Sequence, residues 1–175
     1  MLFLSFEDFY VGEGQGAYFS NPNAVNTIFS RITGSNRSDI LGTLGILGNA
    51  DLVFLNSNGI LFGPNAQLDL QGSFTASTAS SVEFPNGELF STLRPDISTF
   101  LTLNVEAPIG LIFEDVSYTS IVSEGVLAAT EDLTLSAGNL DLQGQLYTGQ
   151  ALTLQAQGTI KIRDSAQFPF IAAAG

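Results

Sequence analysis

Leu133-Thr134-Leu135-Ser136-Ala137-Gly138-Asn139-Leu140-Asp141-Leu142 is followed by Leu152-Thr153-Leu154-Gln155-Ala156-Gln157-Gly158-Thr159-Ile160-Lys161-Ile162. Leu133-Thr134-Leu135 returns as Leu152-Thr153-Leu154, and Leu140-Asp141-Leu142 returns as Ile160-Lys161-Ile162, a period of about twenty residues. Within each block apolar and polar side chains alternate, which is strand periodicity. Strands of about four or five residues, broken by Gly and Asn, suit the sides of a coil better than the longer hairpins of a sandwich. The repeat therefore predicts a solenoid whose coils stack roughly 4.8 Å apart. Alternation points Leu140, Leu142, Ile160 and Ile162 into the lumen and Asp141 and Lys161 outward, where they are expected to stack as an exposed ion pair worth about 1 kcal/mol at most.

The same texture runs through Asp51-Leu52-Val53-Phe54-Leu55, Gly59-Ile60-Leu61-Phe62-Gly63, Gln67-Leu68-Asp69-Leu70 and Ser73-Phe74-Thr75-Ala76, with almost no helical periodicity. The chain reads as all-β. Phe54, Phe62 and Phe74 fall at lumen positions. Leu68-Asp69-Leu70-Gln71-Gly72 recurs verbatim at Leu140-Asp141-Leu142-Gln143-Gly144, as though two coils shared one strand and corner. Pro85, Pro95 and Pro108 break the period, so residues 85–118 read as an excursion from the solenoid, with Phe100-Leu101-Thr102-Leu103-Asn104-Val105 as an added strand or hairpin lying on the helix face. The run Leu52 to Leu55, apolar on both faces, fits a strand covered on both sides. The expected organisation is a single domain over 1–175: N-terminal coils to 84, the excursion 85–118, and regular coils 119–175.

Composition removes whole classes of function. Among 175 residues, 17 acidic against 5 basic give a formal charge of -12, which repels a phosphate backbone and leaves no basic stripe for nucleic acid or an anionic membrane. There is no cysteine and no histidine, so disulfides, thiolate nucleophiles and the commonest metal ligands and general base are missing; no metal or cofactor is expected. The acidic pairs Glu7/Asp8, Glu114/Asp115 and Glu131/Asp132 point to opposite faces of a strand and cannot form a dyad by adjacency. Lys161 and Arg163 are the one same-face cationic pair that a lyase reading could use. Gly12-Glu13-Gly14-Gln15-Gly16 precedes nothing helical and reads as a plain loop, not a dinucleotide site. No run reaches the roughly 18 apolar residues of a spanning helix. Met1-Leu2-Phe3-Leu4-Ser5-Phe6 lacks a basic n-region and meets Glu7 and Asp8 too soon for a signal peptide, so either the chain is not exported as written or its true start lies upstream.

Two stretches carry dense turn chemistry, Asn21-Pro22-Asn23-Ala24 and Asn56-Ser57-Asn58-Gly59. Asn tolerates the left-handed region and bonds its own backbone, Pro fixes φ, and Gly supplies positive φ, so both read first as corners. Asn49, Asn56 and Asn58 are candidates for an asparagine ladder between coils.

With their flanks, Ile28-Phe29-Ser30-Arg31-Ile32-Thr33-Gly34, Asn36-Arg37-Ser38, Ile40-Leu41-Gly42-Thr43-Leu44 and Leu55-Asn56-Ser57-Asn58-Gly59-Ile60-Leu61-Phe62-Gly63, these stretches resemble the N-terminal, two-partner-secretion domain of the filamentous-haemagglutinin family. Ser5-Phe6-Glu7-Asp8-Phe9-Tyr10-Val11 is similar to that family's entry segment, and Gly72-Ser73-Phe74-Thr75-Ala76-Ser77-Thr78-Ala79 to the strand and corner after the second motif. Here Ala24 stands for the family's leucine and Ser57 for its proline. The resemblance implies a right-handed parallel β-helix without enzymatic activity. It also implies a monomeric domain recognised in the periplasm by the POTRA domains of an outer-membrane barrel transporter, with Asn21, Pro22, Asn23, Ala24, Asn56, Ser57, Asn58 and Gly59 as recognition or turn residues. The destination would be the cell surface or medium, as part of a longer adhesin-like protein that continues past Gly175. A carbohydrate- or surface-binding solenoid, reaching host or surface glycans through the full-length protein, is the alternative; a polysaccharide lyase or hydrolase is the third.

Overall fold

The computed structural model describes residues 1–22, 24–95, 107–114 and 118–164. The alternating segments become short strands that visit three faces in turn. One face is a parallel sheet of β1 (Leu2–Phe6), β3 (Thr27–Ile32), β6 (Asp51–Leu55), β9 (Phe74–Ser77), β15 (Leu133–Ala137) and β18 (Leu152–Ala156). The second holds β4 (Ser38–Ile40), β7 (Ile60–Phe62), β13 (Ser120–Ser123), β16 (Asn139–Gln143) and β19 (Ile160–Arg163). The third is formed by β2 (Gly16–Ser20), β5 (Thr43–Leu47) and β8 (Gln67–Asp69), with β14 (Val126–Ala129) and β17 (Gln145–Thr148) as a separate pair. Chain order repeats first, second, third face, and strands on one face pair in parallel with the coil above and below. This is a parallel β-helix.

The register is the one the repeat implies: Leu133 faces Leu152, Thr134 faces Thr153, Leu140 faces Ile160 and Asp141 faces Lys161. Ile28, Leu52, Phe54, Phe62, Phe74, Leu133, Leu135, Leu140 and Leu142 fill the lumen at 0–1% exposure. Phe62 and Phe74 meet edge to face with centroids 6.1 Å apart, the packing favoured by the ring quadrupole.

Between β9 and β13 the chain leaves the solenoid and forms an antiparallel sheet, β11 (Leu89–Ser91) and β12 (Gly110–Ile112) flanking β10 (Ser81–Glu83). It covers the first face from outside. Phe29, Leu55, Val82, Phe84 and Phe90 make a second core, with Phe3, Val53 and Leu111 against it. The run Leu52 to Leu55 is thus covered on both sides: Leu52 and Phe54 face the lumen, Val53 and Leu55 the antiparallel sheet. Phe3 stacks on Phe29 at 5.2 Å, and Phe84 meets Phe29 edge-on at 5.5 Å. The strand expected at Phe100 to Val105 lies outside the described residues.

Three expectations change. Asp141 does pair across coils, but with Arg163 (Nε to Oδ1, 2.8 Å) rather than Lys161; Arg163 shares the outward face, and its long guanidinium arm spans the diagonal between strands. The two Leu-Asp-Leu-Gln-Gly segments are not equivalent. Leu68-Asp69 ends β8 on the third face, while Leu140 to Gln143 lies in β16 on the second. Gly144 takes φ +114 and Gly72 shows no such conformation. Ile160 and Ile162 continue the lumen rows of Leu140 and Leu142, yet they are 45% and 59% exposed because no described strand stacks on β19.

Candidate recognition corners

The first corner joins β2 to β3. Val25 N–H donates to Pro22 C=O at 3.2 Å, closing a turn, and Ala24 sits at φ +69, a left-handed conformation that costs an L-residue about 1–2 kcal/mol. The Asn21 amide is oriented by its surroundings: its nitrogen donates to Val25 C=O at 2.8 Å, and its oxygen accepts from the N–H groups of Asn49 and Ala50 at 3.2 Å each. Asn21 thereby ties this corner to the next coil. A Cβ on Gly48, at φ +144, would fall 2.6 Å from Asn21 Cβ, so the glycine makes room for that contact. Pro22 and Ala24 are exposed and Asn21 is half-buried. Asn23 lies outside the described residues.

The second corner joins β6 to β7, and it is built inward. Gly59 N–H donates to Asn56 C=O at 3.1 Å, Asn58 N–H donates to Asn56 Oδ1 at 2.9 Å, and Gly59 takes φ +114. This is an Asx turn closed by a glycine. Asn56 is 0% exposed. Its Nδ2 donates to Asn36 C=O at 3.0 Å and Ser38 Oγ at 2.9 Å, while its own N–H donates to Ser77 C=O at 3.0 Å. Asn58 Nδ2 donates to Gly34 C=O at 2.8 Å, and Gly34 N–H donates in turn to Glu7 C=O at 2.9 Å. Four consecutive coils are therefore linked at one corner. Ser57 accepts from Thr92 Oγ1 at 3.0 Å, which joins the same corner to the antiparallel sheet.

The two corners stand at opposite ends of β6, so the sequence-designated residues form two sites rather than one; a five-residue strand separates them by roughly 17 Å. The asparagine ladder is partial. Asn21 reaches the Asn49 backbone and Asn56 reaches the Asn36 backbone, whereas Asn58 meets Asn56 within one corner.

Sequence reasoning passed over Arg31. It is 5% exposed and its Nε donates to Ser5 Oγ at 2.7 Å, its terminal nitrogens to Ser91 C=O at 2.8 Å and Pro95 C=O at 3.1 Å. The guanidinium also lies 4.4 Å over the Phe90 ring, and burial lowers its pKa from the ordinary arginine value. A single arginine within the strand Ile28-Phe29-Ser30-Arg31-Ile32 was the available signal. The acidic pairs hold structure together: Asp8 Oδ1 accepts from Asn36 Nδ2 at 3.0 Å, Glu114 pairs with Arg94 at 2.7 Å, and Asp132 Oδ1 accepts from Ala151 N–H at 3.0 Å. Asp115 lies outside the described residues.

Comparison with known proteins agrees with this architecture. The model of the TPS secretion domain family matches residues 1–172. The heme/hemopexin-binding protein of Haemophilus influenzae is 27% identical over 74 residues, 42% of this chain and 8% of that protein, so the chain matches a small part of that relative's length. Three-faced coils, paired turn motifs and a match that runs almost end to end agree: the chain belongs to the TPS secretion domain family, a non-enzymatic module of two-partner secretion that implies export across the outer membrane.

Proposed function

We propose that this chain is the recognition and folding-nucleus module of an exported adhesin-like protein, read in extended form by the periplasmic POTRA domains of its outer-membrane barrel transporter. The observation that carries the reading is the burial of Asn56 and Gly59. A folded corner offers those groups to no partner, so recognition of this motif precedes folding. An extended strand can add to a partner's sheet edge through its main chain, with alternate side chains giving selectivity. Once outside, closure of the Asn56 corner withdraws the segment from its partner and makes translocation one-way. The corner at which Pro22 and Ala24 are exposed is the second element read.

The test compares binding of the transporter's purified POTRA domains to the folded chain and to synthetic peptides spanning 17–30 and 50–63. The peptides are expected to bind at least about tenfold more tightly than the folded chain, a difference of about 1.4 kcal/mol. Equal or tighter binding by the folded chain would sink the extended-form reading. Deleting 21–63 behind a supplied signal peptide is expected to abolish export.

A further inference from the structure

The outer surface of the β2-β5-β8 sheet carries a grid of side chains set by register: Gly16, Thr43 and Gln67 in one row, Tyr18, Gly45 and Asp69 in the next. Because Gly45 has no side chain, Tyr18 lies across the middle strand and donates from Oη to Asp69 Oδ2 at 2.9 Å. A Cβ on Gly45 would sit 2.6 Å from Tyr18 Cε1, and one on Gly16 would sit 3.0 Å from Cε2. The ring therefore occupies space that only glycines leave open. Tyr18 is nonetheless 43% exposed, so it is held against the sheet and open to solvent. The Asp69 hydrogen bond, with smaller contributions from desolvation and the Asp69 charge, raises the phenol pKa above its ordinary value, and the hydroxyl stays a donor.

Beside the ring lies a shallow depression of about 520 Å³, largely open to solvent and bordered by Glu13, Gln15, Thr43, Asn65 and Gln67. Asn65 Nδ2 donates to Glu13 Oε1 at 2.6 Å, which fixes one wall. Carboxamides present donor and acceptor side by side, as vicinal hydroxyls do. The negative face of an aromatic ring attracts the C–H face of a pyranose. Among the described residues no Lys or Arg lines the depression, and the chain carries a charge of -12, so anionic ligands are repelled. Covering a sheet glycine accounts for the ring's position; it does not account for the amide side chains of Gln15, Asn65 and Gln67 gathered round the depression beside it.

We propose that this face is a subsite for a neutral saccharide, one pyranose stacking on Tyr18 while its hydroxyls bond to Gln15, Thr43 and Gln67. The subsite is independent of export. Saturation-transfer NMR on the whole chain tests it with maltotriose and triacetylchitotriose as neutral probes and trigalacturonate as the acidic one. Transfer to at least one neutral probe is expected, with affinity about tenfold weaker in Tyr18→Ala and in Gln67→Ala and kept in Tyr18→Phe. Far-UV circular dichroism checks each fold, and if Tyr18→Ala does not fold, Gln67→Ala and Tyr18→Phe decide. No transfer to either neutral probe, binding of trigalacturonate alone, or wild-type affinity in folded Tyr18→Ala or in Gln67→Ala would each overturn the proposal.

Discussion

Asn56 shows how one side chain can join corners of several coils. Fully buried itself, its amide serves Asn36 C=O, Ser38 Oγ and Asn58 N–H. Asn56→Ala leaves the buried Ser38 hydroxyl and the partly buried Asn36 C=O and Asn58 N–H without their partner and is expected to cost about 2–3 kcal/mol. Asn58→Ala, at a half-buried position, should cost only about 1 kcal/mol; urea midpoints at constant slope measure both. The opposite sign is expected at Ala24, where φ is +69: Ala24→Gly relieves the left-handed penalty and should raise stability by about 0.5–1 kcal/mol. A lower urea midpoint for that variant would show that the turn does not hold this conformation in solution. The turn character of both motifs was legible because Asn, Pro and Gly act through their own backbone. The burial of one corner and exposure of the other was not, since it depends on which coil lies above.

Strand alternation told which side chains turn inward, and the double apolar run at Leu52 to Leu55 told that something covers the outside. The excursion over 85–118 was the expected cover, but which of its residues would form it was not legible. The covering sheet depends on contacts between residues far apart in the chain, such as Phe29 with Phe84, for which the local sequence carries no mark. The repeated Leu-Asp-Leu-Gln-Gly has a related limit: period two separates inward from outward positions but does not choose among three faces. Arg31 is the polar fastening of this layer, joining β3 to Ser91 and Pro95 while its guanidinium lies over Phe90. Arg31→Met keeps much of the volume but leaves the Ser91 carbonyl without its donor, so a loss of roughly 3 kcal/mol is expected. The loss should be local. Amide exchange should accelerate in β10, β11 and β12 while β6 and β9 stay protected, and Arg31→Lys should not restore protection, because an ammonium has no planar fork to reach Ser5, Ser91 and Pro95 together. Uniform acceleration through the solenoid would show instead that the two cores unfold as one.

A solenoid is nearly one-dimensional: each coil is stabilised by its own contacts and by its two neighbours. The lumen rows show the consequence. Leu135, Leu140 and Leu142 are 0–1% exposed; one coil on, Leu152 and Leu154 are half-buried and Ile160 and Ile162 are 45% and 59% exposed. The first coils have an added advantage, since the antiparallel sheet covers β3 and β6 from outside and the Asn56 corner links successive coils. Stability should therefore fall from the N-terminal coils towards β19. In this 175-residue chain, amides of β18 and β19 are expected to exchange at least about 100-fold faster than those of β3, β6 and β9, with β15 and β16 between them. Protection that is flat along the axis would mean a single cooperative unit. It would also remove the physical basis for a folding nucleus, because a module that orders first at one end must hold its most stable contacts there, ready for later coils to stack upon.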